Sequence, residues 1–214
     1  MEKSKRLLGY YNYTVILTYI GMLVGVTGIT CVMEARFQQA VLCLMIAGIC
    51  DMFDGAIAAT KKRDKREKSF GIQIDSLSDL ICFGVLPAIF VYVISGKSYS
   101  AFMVAGLYVL CALVRLAYFN VMEEERQEQE TGSRKWYLGL PVTTIALLLP
   151  ACYVIQNKWI PGENSIFIVL LFAVAFAFLL PFKIKKPYLA GKIGIAVAGL
   201  VEFLIILMGV GLEV

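Results

Sequence analysis

The sequence predicts an all-α fold, a polytopic transmembrane helix bundle. Three observations carry that expectation. Of the 214 residues, 59% are hydrophobic, where a soluble domain is usually about 45–50% apolar. Mean hydropathy is +0.76. Apolar runs of roughly 20 residues, the length a helix needs to cross hydrocarbon, recur along the whole chain. Little mass is left outside a bilayer, so one compact bundle is expected and no second soluble domain. The first apolar run continues into a multi-span pattern and lacks a small-residue cleavage site, so no cleavable signal is expected.

Seven segments are read in order: 14–33, 37–60, 71–95, 100–121, 138–157, 165–182 and 190–212. Lys3, Lys5 and Arg6 precede the first, and Arg36 separates it from the second. Lys61, Lys62, Arg63, Lys65, Arg66 and Lys68 fill the link to the third. Lys97 follows the third. The fourth runs into a charged stretch, 122–137, read as a solvated helix extension ending near Gly132 and carrying Arg126, Arg134 and Lys135. Lys158 follows the fifth. Lys183, Lys185, Lys186 and Lys192 follow the sixth, where Pro181 and Pro187 flank the break. Sixteen of the 20 basic residues thus fall on one side. The positive-inside rule puts that side, with the N-terminus, in the cytoplasm. Seven spans then place the C-terminus outside. There is no internal repeat and no low-complexity tract.

The chain has no histidine, which excludes His-ligated metals, His general bases and Ser-His-Asp triads. Six cysteines (Cys31, Cys43, Cys50, Cys82, Cys111 and Cys152) never form a CxxC and lie in apolar runs. They read as small buried apolar residues rather than disulfides or a zinc site. The formal charge of +4 reflects the one-sided loops, and no nucleic-acid partner is expected.

Four acids stand out against this background. Asp51 and Asp54 end the second segment, and Asp75 and Asp79 lie in the third. A carboxylate at the centre of a membrane helix costs about 2.5–3.5 kcal/mol on insertion scales. The i, i+3 and i, i+4 spacings put each pair on one helix face. At 1.5 Å per residue, Asp54 is expected roughly 10 Å below the basic link and Asp79 roughly 12 Å, so the pairs can face each other. Four facing carboxylates repel unless cations intervene, and oxygen ligands alone select Mg²⁺ or Mn²⁺, with Ca²⁺ as the third candidate. Two divalent ions would neutralise four acids and suit phosphoryl-type chemistry. Gly55, Ala56, Ala58 and Ala59 follow Asp54, and Gly71 opens the third segment. Singly these read as helix packing; beside four acids they read as room for a ligand.

The stretch "DMFDGAIAA…FGIQIDSLSD" resembles the motif of the CDP-alcohol phosphotransferase family at Asp51, Asp54, Gly55, Ala58, Gly71, Asp75 and Asp79. Two departures are plain. The family's Arg after Ala is Ala59 here, and the spacer to Gly71 is longer by three residues. Lys61, Lys62 or Arg63 would have to supply the missing charge. Within the family, 70–88, "RLAYFNV" (115–121) and "GLPV" (139–142) resemble the phosphatidylserine synthase branch, and "YNYT" (11–14) resembles its opening segment.

The resemblance implies a six-helix core with the seventh segment outside it, hence a division into 1–182 and a C-terminal part, 183–214. It implies transfer of the phosphatidyl group from CDP-diacylglycerol to L-serine, releasing CMP. Asp51, Asp54, Asp75 and Asp79 would hold two metals, and Asp79 would also act as general base. CDP-diacylglycerol would meet Asp54, Gly55, Ala58, Gly71, Asn12, Thr14 and Lys62. It further implies a homodimer in the plasma membrane of a prokaryote, with the active site facing the cytoplasm and membrane lipids around it.

Arg115, charged within a span, is a functional candidate by default. It would bind serine's carboxylate or a phosphate, or else form a structural ion pair; Asn120 is placed to hydrogen-bond the serine. Glu202 in the last segment has no assigned role. The basic link reads chiefly as topology and attraction to anionic headgroups. Two alternatives stand beside the serine reading: the same family acting on glycerol phosphate or inositol phosphate, and an ion or proton transporter whose buried acids line a pathway.

Overall fold

The computed structural model describes residues 8–129, 136–181, 183–185 and 189–209. The chain forms a bundle of α1 (Tyr13–Met33), α2 (Phe37–Ala58), α3 (Lys65–Asp79), a π-helical turn (Leu80–Val85), α4 (Leu86–Ile94), α5 (Tyr99–Gln129), α6 (Ile145–Trp159), α7 (Ser165–Leu179) and α8 (Leu189–Leu207). A three-residue antiparallel ribbon is added where no strand was expected, β1 (Trp136–Leu138) on β2 (Lys183–Lys185). Among the described residues, four helical stretches are long and apolar enough to cross a membrane: 13–33, 37–58, 65–94 and 99–125. Ser165–Leu179 and Val197–Leu207 are shorter apolar helices.

Two segment starts differ from the sequence reading by several residues, and α7 and α8 end earlier than expected, at Leu179 and Leu207. The third helix starts at Lys65 rather than 71. Asp64 caps it, its Oδ1 accepting the Glu67 N–H at 2.7 Å. Asp64-x-x-Glu67 has the spacing of a capping box, and a charged first turn is compatible with a helix projecting beyond the bundle. The matched-depth argument therefore changes. Asp79 lies about 21 Å along its helix and Asp54 about 6 Å from the end of α2; the acids meet because α3 overhangs α2. The fifth helix begins at Ile145, not 138. Pro141 lacks an N–H and biases Leu140 towards extended backbone. Gly139, at φ 67°, sits against the carbonyls closing α7, and Leu140 N–H donates to Ala177 O at 3.2 Å. The expected helix stop at Gly132 lies outside the described residues, as do 210–212 of the last segment.

What brings α2 and α3 together is α1. Its buried side runs Thr14, Thr18, Gly21, Gly25 and Gly28, a four-three spacing of small residues that lets helices approach closely. A Cβ at Gly25 would fall 2.5 Å from Cys82 Sγ in the π turn, and one at Gly21 would fall 3.1 Å from Cys50 Cβ on α2. The π turn follows Asp79 directly, and π turns often occur at functional sites. Buried Tyr108 of α5 donates from its hydroxyl to Phe83 O within that turn at 2.7 Å.

The end of the bundle away from the acids is closed by aromatic edges: Phe90 packs at 77–79° against Phe37, Tyr153 and Phe167. Asn164 Nδ2 donates to Ile94 O at 2.8 Å and fastens α7 to α4. α8 lies along α2 and α6, where Gln38 Nε2 donates to Ile206 O at 2.5 Å.

Candidate active site

Asp51 and Asp54 come from α2, Asp75 and Asp79 from α3, and all four line one small cavity with Thr18, Ser78 and Cys82. One ligand oxygen each of Asp51, Asp54 and Asp75 lies within 4.8 Å of the others. Asp79 faces Asp51, and Asp75 faces Asp54. Asp54 is 8% exposed, and Thr18 Oγ1 donates to its Oδ2 at 3.0 Å. Ser78 Oγ is 3.4 Å from Thr18 O, which closes the α1–α3 side.

Among the described residues no lysine or arginine lines the cavity. Four carboxylates are gathered there without a protein cation among the described residues; the thiols of Cys50 and Cys82 also line the cavity but do not join the group of Asp51, Asp54 and Asp75 whose ligand atoms are close enough to share an ion. That donor set fits hard divalent cations. All six cysteines are unpaired; Cys82 turns its thiol to Gly21 O at 3.4 Å and serves packing.

The remaining expected residues divide. Gly55 is exposed, and among the described residues a Cβ there would meet nothing within 4 Å. Ala58 is half-buried one turn on. Gly71 is not open: a Cβ there would lie 2.9 Å from Arg63 Nη1. Asn12 caps α1, accepting from the Thr14 N–H at 3.0 Å and from the Thr14 hydroxyl, and its Nδ2 donates to Glu67. Glu67, 8% exposed, also holds Lys61 at 2.8 Å. Lys62 is exposed.

Arg115, 7% exposed, lies outside the acid cavity with its guanidinium 4.4 Å from the Phe119 ring centroid. Asn120 joins α5 to α3: Ser76 Oγ donates to its Oδ1 at 2.7 Å, and its Nδ2 donates to Gln73 Oε1 at 3.4 Å. Thr18 and Ser78 were missed by sequence reasoning. The available signal for Thr18 was its place in a small-residue stripe.

Fold and site together define a membrane helix bundle with four carboxylates lining one cavity, three of them close enough to hold a metal ion. The chain belongs to the CDP-alcohol phosphatidyltransferase family, whose family model matches residues 11–180. A CDP-diacylglycerol–serine O-phosphatidyltransferase of Saccharomyces cerevisiae is 33% identical over 151 residues, 65% of this chain and 54% of that protein. One from Helicobacter pylori is 27% identical over 180 residues, 83% of this chain and 72% of that protein. An archaetidylserine synthase of Methanothermobacter thermautotrophicus is 30% identical over 154 residues, 72% of this chain and 62% of that protein. The chain therefore spans about half of the yeast relative's length.

Proposed function

We propose that this protein transfers the phosphatidyl group of CDP-diacylglycerol to the hydroxyl of L-serine, giving phosphatidylserine and CMP. The observation that carries the proposal is the convergence of Asp51, Asp54, Asp75 and Asp79 in one cavity with no protein cation. Serine as acceptor is supported by the names of the yeast and archaeal relatives, which differ in the lipid and share serine.

Asp51, Asp54, Asp75 and Asp79 would hold two divalent cations, Mg²⁺ or Mn²⁺, with Ca²⁺ as the third candidate. Bound there, the ions supply positive charge to the diphosphate and to the departing CMP. Asp54 is oriented by the Thr18 hydroxyl, which donates to its Oδ2. Asp79 takes the proton of the serine hydroxyl, for which a base must lie within hydrogen-bond reach. The serine oxygen then forms a bond to the lipid-linked phosphorus as the bond to CMP breaks, and CMP leaves with the electron pair.

Gly55 and Ala58 give the donor its approach beside Asp54. Asn12, Thr14 and Lys62 are assigned to the cytoplasmic rim of the donor site and Gly71 to its wall. Arg115 is assigned to serine's carboxylate, which its planar fork suits. Asn120 would reach serine by exchanging one of its α3 partners. Residues 1–182 form the family core and 183–214 an appended span, and the assembly is a homodimer by family analogy. The basic side faces the cytoplasm, and the plasma membrane of a prokaryote is the assigned location.

The test is CMP release from CDP-diacylglycerol by the purified protein with Mg²⁺ or Mn²⁺ and a panel of acceptors. Serine-dependent CMP, abolished by chelation, is expected. CMP with inositol phosphate or glycerol phosphate but not serine overturns the acceptor. No CMP with any alcohol overturns the transferase.

A further inference from the structure

The run Lys61-Lys62-Arg63 lies between the ends of α2 and α3, and its three cations have three different fates. Lys61 is neutralised by Glu67 at 2.8 Å. Lys62 stands in solvent. Arg63 alone turns inward. It is half-buried, its guanidinium reaches over Gly71, and its Nε is buried with no hydrogen-bond partner among the described residues.

The seat is specific. Among the described residues, and leaving aside the backbone of α3 itself and the neighbours in the chain, the guanidinium nitrogen Nη1 is what a Cβ added to Gly71 would meet, at 2.9 Å, so Gly71 leaves the space that the arginine fills. Gly71 precedes Asp75 by four residues and Asp79 by eight, which puts the three on one side of α3. Arg63 therefore carries its charge about one turn, roughly 6 Å, to the cytoplasmic side of the acids. A buried guanidinium N–H without an acceptor is unfavourable unless an acceptor arrives. An anionic oxygen placed between the acid-bound cations and this fork would satisfy it, and phosphate oxygens match the fork's planar geometry.

We propose that Arg63, seated on Gly71, is the phosphate-gripping residue of the donor site and fixes the diphosphate of the nucleotide-lipid above the four acids. Exposed Ala59 leaves the preceding turn without a charge, and Arg63 supplies one from the link. The inference rests on the transferase reading given above and deepens it.

The experiment compares Arg63→Ala, Arg63→Lys, Gly71→Ala and the double variant Arg63→Ala/Gly71→Ala. It measures the KM for CDP-diacylglycerol at saturating serine, the KM for serine, and Mg²⁺-dependent binding of CDP-diacylglycerol without turnover. Arg63→Ala should raise the CDP-diacylglycerol KM about 10-fold to 100-fold, the scale of one charge-assisted contact, and leave the serine KM in place. Arg63→Lys should recover part of the loss, since it restores charge but not the fork. Gly71→Ala should raise the same KM by displacing the guanidinium, yet add nothing in the Arg63→Ala background. Lys68→Ala, which removes the same charge from an exposed position of the same stretch, separates a local contact from net charge.

An unchanged CDP-diacylglycerol KM in Arg63→Ala overturns the proposal, as does an equal rise in Lys68→Ala. A Gly71→Ala effect that persists undiminished in the double variant overturns the seat. If Arg63→Ala does not fold, Arg63→Lys and Gly71→Ala carry the same comparison. Should the wild type bind CDP-diacylglycerol but release no CMP, the transferase reading fails and the binding arm still decides the role of Arg63.

Discussion

Thr18 of α1 donates a 3.0 Å hydrogen bond to Oδ2 of Asp54 on α2, with both side chains buried. One carboxylate oxygen is thereby committed to the scaffold, which fixes the orientation of the group beside Asp75. Thr18→Val keeps the shape and removes the hydroxyl. Partners that orient a metal ligand are worth about 10-fold to 100-fold in metal affinity or activity. The Mg²⁺ concentration for half-maximal CMP release should therefore rise by about that factor. An unchanged Mg²⁺ requirement would mean that the bond only packs α1 on α2.

Asp79 and Asp51 face each other across the cavity, but they are assigned unequal work. Asp79→Asn should abolish CMP release and leave measurable Mg²⁺-dependent binding of CDP-diacylglycerol. Asp51→Asn should weaken both. Full turnover in Asp79→Asn would remove the base assignment.

Gly25 meets the π turn with no room for a methyl group, a Cβ falling 2.5 Å from Cys82 Sγ and 3.4 Å from Cys82 Cα. Overpacking of this kind destabilises by about 1–3 kcal/mol. Gly25→Ala should lower the thermal unfolding midpoint in detergent. Gly106→Ala, where nothing lies within 4 Å, should not. Equal midpoints for the two variants would contradict the close α1 contact.

Arg115 stacks on Phe119 one turn further along α5. With Lys in its place the planar fork is lost and the charge kept. If Arg115 holds serine's carboxylate, Arg115→Lys should raise the serine KM about 10-fold, the scale of one charged contact, without moving the CDP-diacylglycerol KM. A serine KM that stays put, with a lowered unfolding midpoint, would leave Arg115 a structural role.

On the topology proposed above, with seven spans and a cytoplasmic N-terminus, the C-terminus lies outside. A reporter fused after Val214 that is active only on the outer side of the membrane should give signal, and one active only in the cytoplasm should not. The reverse pattern would mean that α8 does not cross.

Much of this was legible in the linear chain because the relevant physics is local. A run of apolar residues long enough to span hydrocarbon needs no tertiary information, nor does the i, i+3 and i, i+4 spacing that puts Asp51 with Asp54 and Asp75 with Asp79. Carboxylates in such runs are unfavourable enough to require a common partner, which linked the two helices before any geometry was known. The capping box at Asp64 was also available, but a charged stretch was read as a link. Pro141 marks the late start of α6 and the 3-10 turn that precedes it, Val142–Thr144.

The sequence by itself determined the membrane class, the apolar helices and the four acids, because hydrophobic length and the expense of buried charge act residue by residue. Only the tertiary structure decided which faces meet. α1 is apolar on every side, and in a membrane polarity does not separate a lipid-facing surface from a protein-facing one. Size does: Gly21 and Gly25 admit Cys50 and Cys82, and that fit brings α2 and α3 close enough for their acids to share a cavity. It likewise decided which cation of Lys61-Lys62-Arg63 turns inward, because Glu67 had already taken Lys61 and Gly71 left a seat for Arg63.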